Sequence, residues 1–240
     1  GLLEFLQRLR EASGGKPVGI KLAVGKQSEF FAICKAMVET GLTPDFITVD
    51  GGEGGTGAAP LEFSNSIGMP GRDAWLFVHA GLKGVGVRDR VKVVASAKIL
   101  TGFHMIRAFA LGADACNSAR GMMLALGCIQ ALRCNTDHCP TGVTTQNPAL
   151  YKGLVVSDKS ERVYNYHKGT IKAFLELIAA MGLQDPEDIR SDQIHRRVDD
   201  MMTRSYAELY PPLEDGQLLN GHATPEMYRS AWAASSAKSF

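Results

Sequence analysis

Four times between Lys16 and Gly121 a short run of apolar and β-branched residues gives way, through a brief connection, to a segment of helical periodicity. The runs are Lys16-Pro-Val-Gly-Ile-Lys-Leu-Ala-Val24, Asp45-Phe-Ile-Thr-Val49, Val91 to Ala95 and Asp114-Ala-Cys116. Helices are expected over 28–40, which ends at Gly41, over 73–85 and 102–111, and from near Gly121 onward. Such alternation predicts a parallel sheet covered by helices, and both doubly wound sheets and (β/α)8 barrels have that pattern. A doubly wound sheet concentrates its glycines in one opening turn, whereas a barrel builds its rim from loops at the C-terminal end of every strand. Here lysines and glycines recur after each run, as in Asp50-Gly-Gly-Glu-Gly-Gly-Thr-Gly-Ala-Ala59 and Ser96-Ala-Lys-Ile-Leu-Thr-Gly102. A barrel is therefore the better expectation. Four strands do not close one, since about eight are needed. Residues 2–12 form an amphipathic helix ahead of the first strand. The expected α/β architecture is the C-terminal half of a (β/α)8 TIM barrel over residues 1–150, as a fragment or part of a larger protein, followed by a mainly helical tail over 151–240.

After Pro148 the alternation stops. Residues 158–182 read as a long amphipathic helix with Ile171, Phe174, Leu175 and Ile178 on its apolar side, 191–209 as a shorter helical region, and Tyr210-Pro-Pro as the start of an irregular end. His167, His195 and His222 stand singly there and read as surface or packing residues.

Three cysteines fall within twelve positions in Cys128-Ile-Gln-Ala-Leu-Arg-Cys134-Asn-Thr-Asp-His-Cys139-Pro140. Thiolates suit iron–sulfur clusters because soft, anionic sulfur matches iron, and a proline after the last cysteine fixes the local turn. Zinc with His138 as fourth ligand is the competing reading, although adjacent side chains in an extended loop diverge and no CxxC knuckle is present. Three buried thiols is the plain alternative. Cys34 and Cys116 fall in an expected helix and strand and read as core residues. Five cysteines, three of them clustered, argue against a disulfide framework, and a reducing cytoplasm is the expected location. A net charge of +1, from 26 basic and 25 acidic residues, gives no basis for nucleic-acid or membrane-surface binding. No segment reaches the run of about 18 apolar residues that spans a bilayer, and Gly1-Leu-Leu-Glu begins no recognisable signal peptide.

Lys21 in Gly-Ile-Lys-Leu, the loop Glu53-Gly-Gly-Thr-Gly-Ala58, the Thr101-Gly102 pair, and Leu126-Gly-Cys128 through Cys134 and Cys139-Pro-Thr-Gly-Val-Thr-Thr-Gln146 occur in this order. In these features residues 15–150 resemble the FMN-binding domain of glutamate synthases. Beyond residue 150 the chain is similar to the tail of shorter, stand-alone FMN-binding glutamate synthase family proteins. The resemblance implies a (β/α)8 barrel, FMN at its rim and a [3Fe-4S] cluster, or alternatively [4Fe-4S], on Cys128, Cys134 and Cys139. It implies an oxidoreductase in which FMN, reduced through the cluster, reduces 2-iminoglutarate formed from 2-oxoglutarate and ammonia to glutamate. The electron donor would be ferredoxin or an NAD(P)H-oxidising subunit. Nothing in the chain resembles a glutaminase domain, so ammonia would come from a separate domain, subunit or solution. An N-methylglutamate synthase-type subunit and a non-catalytic electron-transfer or structural subunit remain the alternatives, and the fragment alone is expected to be inactive.

Particular residues follow from that resemblance and from the chemistry of a flavin. Reduced flavin carries negative charge near N1, so Lys21 at a strand end would stabilise it, and a lysine within an apolar run needs a partner in any case. Gly54, Gly55 and Thr56 would let backbone approach the ring, with Glu53 as a polar member of the loop; a plain flexible loop is the alternative. The phosphate is expected between the last two βα loops, at Lys98, Thr101 and Gly102 and at Ala119, Arg120 and Gly121. Larger glutamate synthases carry Gly-Gly where this chain has Ala97-Lys98, so Lys98 and Arg120 would instead neutralise the phosphate as cations, unless they are simple surface charges. Lys26 and Gln27, just past the first strand, are the candidates for a substrate carboxylate.

Overall fold

The computed structural model describes residues 1–55, 59–60, 62–220 and 224–239. Its first part runs α1 (Leu2–Ala12), β1 (Ile20–Ala23), α2 (Gln27–Thr40), β2 (Phe46–Asp50), α3 (Gly71–Gly84), β3 (Lys92–Ala95), α4 (Gly102–Ala110), β4 (Ala115–Cys116) and α5 (Arg120–Ala125). The second part runs α6 (Pro148–Tyr151), α7 (Val156–Ala180), β5 (His195–Arg197), β6 (Thr203–Ser205), α8 (Tyr206–Leu209) and α9 (Glu226–Ala234).

The expected strand–helix alternation is present. Strands β1 to β4 form one parallel sheet in the order β1-β2-β3-β4, so each strand pairs with its successor in sequence and no topological switch interrupts the winding. The register aligns Ile20, Ile47 and Val93, and then Leu22, Val49, Ala95 and Cys116, on one face. That face is apolar because it packs into the core with Phe31, Trp75, Val78 and Ile106. Lys21, Thr48, Val94 and Ala115 alternate onto the other face. Trp75 ties α3 to the sheet by donating its indole N–H to the carbonyls of Ser96 (2.9 Å) and Val49 (3.2 Å). At the N-terminal edge of the sheet, aspartates just ahead of two strands pin the neighbouring chain. Asp45 accepts the Val18 amide at 2.6 Å and the Arg10 guanidinium at 3.0 Å, while Asp114 accepts the Val93 amide at 2.6 Å and Arg88 at 2.7 Å.

In the second part, α7 matches the long helix expected over 158–182 and buries Phe174 and Ile178 against α4. The expected helix over 191–209 is corrected. Strands β5 and β6 form an antiparallel hairpin there, followed by the single turn α8. Asp199 explains the reversal, since its carboxylate accepts the amides of Met201 (2.8 Å) and Met202 (2.9 Å) and so closes a turn that competes with helix. The expected irregular end after Tyr210 is corrected as well, because α9 begins after Pro225 and docks on α2 and α3. Tyr228 is buried, Trp232 meets Phe31 edge-on at 5.4 Å, and the Lys35 ammonium donates to the carbonyls of Trp232 and Ser235 at 2.8 Å each. His167 and His195 are exposed, in line with their reading as single surface residues; His222 lies outside the described residues. Among the described residues no helix is long and apolar enough to cross a membrane.

Candidate functional site

Because β1 to β4 are parallel, the segments that follow them emerge at one edge of the sheet, and among the described residues every non-cysteine candidate except Lys21, which sits within β1, lies there. After β1, Lys26 caps the start of α2 and its amide donates to Glu29, with Gln27 beginning the helix. No hydrogen bond or ion pair links either to Lys21 or Glu53 among the described residues. Lys21 was expected to lie inside an apolar run and to need a partner. The partner exists, since its ammonium pairs with Asp50 at the end of β2 at 2.9 Å. Its burial does not, because Lys21 points from the polar face with its side chain 62% exposed.

The glycine loop after β2 is a built structure. Both carboxylate oxygens of Glu53 lie 3.0 Å from the Gly71 amide, so Glu53 caps the N-terminus of α3. Gly52 bonds through its amide to Met69 and through its carbonyl to Asn65, and a Cβ on it would stand 2.6 Å from the Gly68 carbonyl. These glycines let the outgoing and returning arms of the loop lie side by side. Gly54 adopts φ +77° and Gly55 is open on the side a Cβ would occupy. Thr56 and Ala58, the next members of the motif, lie outside the described residues.

The loops after β3 and β4 interlock. Ser118 donates to the Ile99 carbonyl at 2.7 Å, and the Tyr166 hydroxyl of α7 donates to Leu100 at 2.7 Å. Within the first loop, Thr101 accepts the His104 amide, and His104 Nδ1 accepts the Leu100 amide at 3.1 Å, which puts the proton of the neutral ring on Nε2. Burial, and then the neighbouring Arg107, hold His104 below its ordinary pKa. Ala97 and Lys98 both have positive φ, +112° and +54°, so the backbone keeps a path suited to glycine although neither residue is glycine. The Lys98 ammonium donates to Asn65 on the returning arm of the glycine loop at 3.3 Å. Two glycines expected to approach a phosphate instead make room for α7. A Cβ at Gly102 would stand 2.6 Å from the Phe174 amide nitrogen, and one at Gly121 would collide with the Tyr166 hydroxyl. Ala119 caps α5 without a side-chain bond.

Arg120 joins the two halves of the rim. Its guanidinium donates to the Gly55 carbonyl at 2.9 Å and to Gln130 Oε1 at 3.2 Å, linking the glycine loop to the segment after Cys128. That segment is a strained loop in which Gln130, Leu132 and Asp137 all have φ between +54° and +64°. All five cysteines are free thiols. The Cys128 sulfur accepts the Gln130 amide at 3.4 Å. Cys139 is buried beside Thr141, whose hydroxyl lies 3.5 Å from its sulfur; that contact, followed by amides of Thr144 and Thr141, pulls its pKa down to about 6 against the opposing pull of burial. Cys34 and Cys116 behave oppositely, since burial alone raises both, Cys116 to about 12. Among the described residues no three His, Cys, Asp or Glu side chains converge as a metal site, and His138 Nδ1 is engaged with the Thr136 carbonyl at 2.6 Å. Cys139 thus has the hydrogen-bond donors that favour a thiolate, while the three sulfurs of the motif are not gathered around a common point.

Sequence reasoning missed Asn65, His104 and Tyr166, which hold the rim together. None lies in a glycine or cysteine motif, and Tyr166 reaches the rim from a helix 45 residues beyond Gly121.

The chain is thus a sequentially wound parallel βα sheet whose loops are tied to one another at the strand ends, with the cysteine loop joined to them through Arg120. Residues 1–184 match the family model described as the conserved region in glutamate synthase. The chain belongs to the glutamate synthase family. It is 43% identical over 199 residues to the glutamate synthase large subunit-like protein YerD of Bacillus subtilis, a match covering 83% of this chain and 38% of that protein. It is 34% identical over 193 residues to the archaeal glutamate synthase [NADPH] of Methanocaldococcus jannaschii, covering 80% and 37%. The chain thus spans less than two-fifths of the length of these relatives. Among solved structures, a mutant flavocytochrome b2 with benzoylformate is 13% identical with a TM-score of 0.47, covering 78% of this chain and 37% of that one.

Proposed function

We propose that this chain is the C-terminal half of a (β/α)8 barrel in a glutamate synthase-like oxidoreductase, and that the complete protein reduces 2-iminoglutarate, formed from 2-oxoglutarate and ammonia, to glutamate. The observation that carries the reading is the joining of three rim elements by Arg120, which places a guanidinium between the glycine loop and the cysteine loop. When bound, FMN supplies hydride transfer and an iron–sulfur cluster supplies one-electron relay.

The residues present fit these groups in part. Lys21 offers an exposed cation on the polar face of the sheet, steadied by Asp50, where it would favour an anionic ring edge. The glycine-like path at Ala97-Lys98, with Lys98 and Arg120 as flanking cations, would receive a phosphate. Glu53 holds α3 in position and acts on the site through that helix. Cys128, Cys134 and Cys139 would hold the cluster, with Cys139 deprotonated at neutral pH by its donors. Lys26 and Gln27 are proposed to face the substrate carboxylates. Ferredoxin or an NAD(P)H-oxidising subunit is the proposed electron source, and a separate glutaminase the proposed source of ammonia.

The test is anaerobic visible spectroscopy with iron, sulfide, zinc and flavin analysis on the full-length parent protein. Flavin bands over broad iron–sulfur absorption, with about three irons per chain as three cysteine ligands allow, are expected. Zinc without flavin or sulfide would sink the proposal.

A further inference from the structure

Two half-buried arginines on neighbouring helices come within electrostatic reach of each other. Arg72 stands in the first turn of α3 and Arg107 in the second turn of α4. The Arg107 Nε is buried without a hydrogen-bond partner, and Arg72 makes neither a hydrogen bond nor an ion pair among the described residues. Burial, and then the charge of Arg72, hold Arg107 below its ordinary pKa. The carboxylate that acts on Arg107 is Glu53, but both its oxygens are engaged 3.0 Å from the Gly71 amide and it forms no ion pair among the described residues. Asp73, beside Arg72, is engaged with the Tyr210 hydroxyl. The tail closes over Arg107, because Tyr206 is buried, receives a hydrogen bond from the guanidinium and stacks on Tyr210 at 6.2 Å. The start of α3 is fixed in turn against the β3 loop, where a Cβ on Gly71 would stand 2.7 Å from that of Ala97.

We propose that Arg72 and Arg107 form a binding site for a phosphate group, carried by inorganic phosphate or by a phosphomonoester. An unpartnered buried donor and a pair of like charges both cost free energy, and an anion between the two guanidinium groups removes both costs. A carboxylate matches one guanidinium fork, whereas a tetrahedral dianion offers oxygens to two forks that arrive from different helices. The site is separate from the one assigned to a flavin phosphate at Lys98 and Arg120, and it depends on neither a flavin nor a cluster.

The experiment is equilibrium dialysis of the full-length parent protein against radiolabelled inorganic phosphate at fixed ionic strength. One saturable site is expected in the wild type. Arg72→Gln, which breaks no bond within the protein, should weaken it about tenfold or more, the effect of removing charge-assisted donors. Arg107→Met should do the same while keeping the packing of the stem, and if that variant fails to fold, Arg72→Gln carries the test alone. Lys98→Met and Arg120→Gln should leave this site unchanged. Displacement of the label by unlabelled glycerol phosphate as well as by phosphate shows that the site takes the phosphate of a larger molecule; displacement by phosphate alone identifies the free ion. The absence of a saturable site, a site that survives Arg72→Gln, or one abolished instead by Lys98→Met and Arg120→Gln overturns the proposal. Succinate displacing the label at lower concentration than phosphate overturns it as well. None of these outcomes bears on the synthase reading, which stands or falls on flavin and iron analysis.

Discussion

Cys139 and Ala97 show how single residues record the demands of the loops around them. Cys139 is deprotonated near pH 6 because hydroxyl and amide donors surround its sulfur, whereas Cys34 is held protonated by burial. In metal-free protein at pH 7, Cys139 should be alkylated by iodoacetamide well ahead of Cys34, and Thr141→Val should slow it several-fold; mass-spectrometric mapping of the modified thiols reads both. Equal rates in the variant would remove Thr141 as the main cause. Ala97 holds φ +112°, a region that costs a residue with a Cβ about 1–3 kcal/mol. Ala97→Gly should therefore raise stability by about 1 kcal/mol after the entropy of glycine is deducted, as measured by urea unfolding. The sequence alone exposed the departure from Gly-Gly at Ala97-Lys98. It did not reveal that the backbone retains the glycine path, because the same dipeptide is equally at home in ordinary conformations. Lys21 was legible as a residue requiring a partner, but Asp50 and the solvent exposure of the pair follow from strand register.

At the scale of elements, α7 organises the edge of the sheet where the candidate residues lie. Gly102 at the start of α4 admits the α7 backbone at Phe174, and the Tyr166 hydroxyl closes onto Leu100. Gly102→Ala places a methyl 2.6 Å from a backbone nitrogen that no side-chain rotation relieves, so it should destabilise by about 1–3 kcal/mol in thermal or urea unfolding. A loss under about 0.3 kcal/mol would show that α7 moves aside freely. The helix itself was plain in the sequence, since its apolar stripe repeats over several turns. Its partner was not, because periodicity says which face is buried and not against what. The 191–209 segment failed for a local reason. Asp199 satisfies two amides that a helix would have used, and single-residue turn chemistry outweighs a weak apolar pattern.

At the scale of the whole molecule, the sequential sheet was the most legible feature, because each strand–helix unit announces itself through local composition and the pairing of neighbours follows from the short connections. Long-range closure was illegible, as with Arg120 reaching both Gly55 and Gln130. A half-buried histidine makes the stability of the chain depend on pH. His79 accepts the Arg88 Nε–H at 3.0 Å, and burial together with that guanidinium lowers its pKa from the ordinary 6.5 to about 4. The unfolded chain therefore takes up the proton first as pH falls. Stability is full above about pH 6.5, declines between pH 6.5 and 4 by up to about 3 kcal/mol, and levels below that as far as this group is concerned. Urea midpoints measured at pH 7.5 and 4.5 should differ accordingly, and His79→Gln should flatten the dependence. The docking of α9 on α2 has a consequence in time. Phe31 waits for Trp232, about two hundred residues later, and at ribosomal rates of roughly 5–20 residues per second the interval is about 10–40 s. For that interval the aromatic flank of α2 is open to every other apolar surface in the cell, and the synthesis of α9 is what ends the exposure.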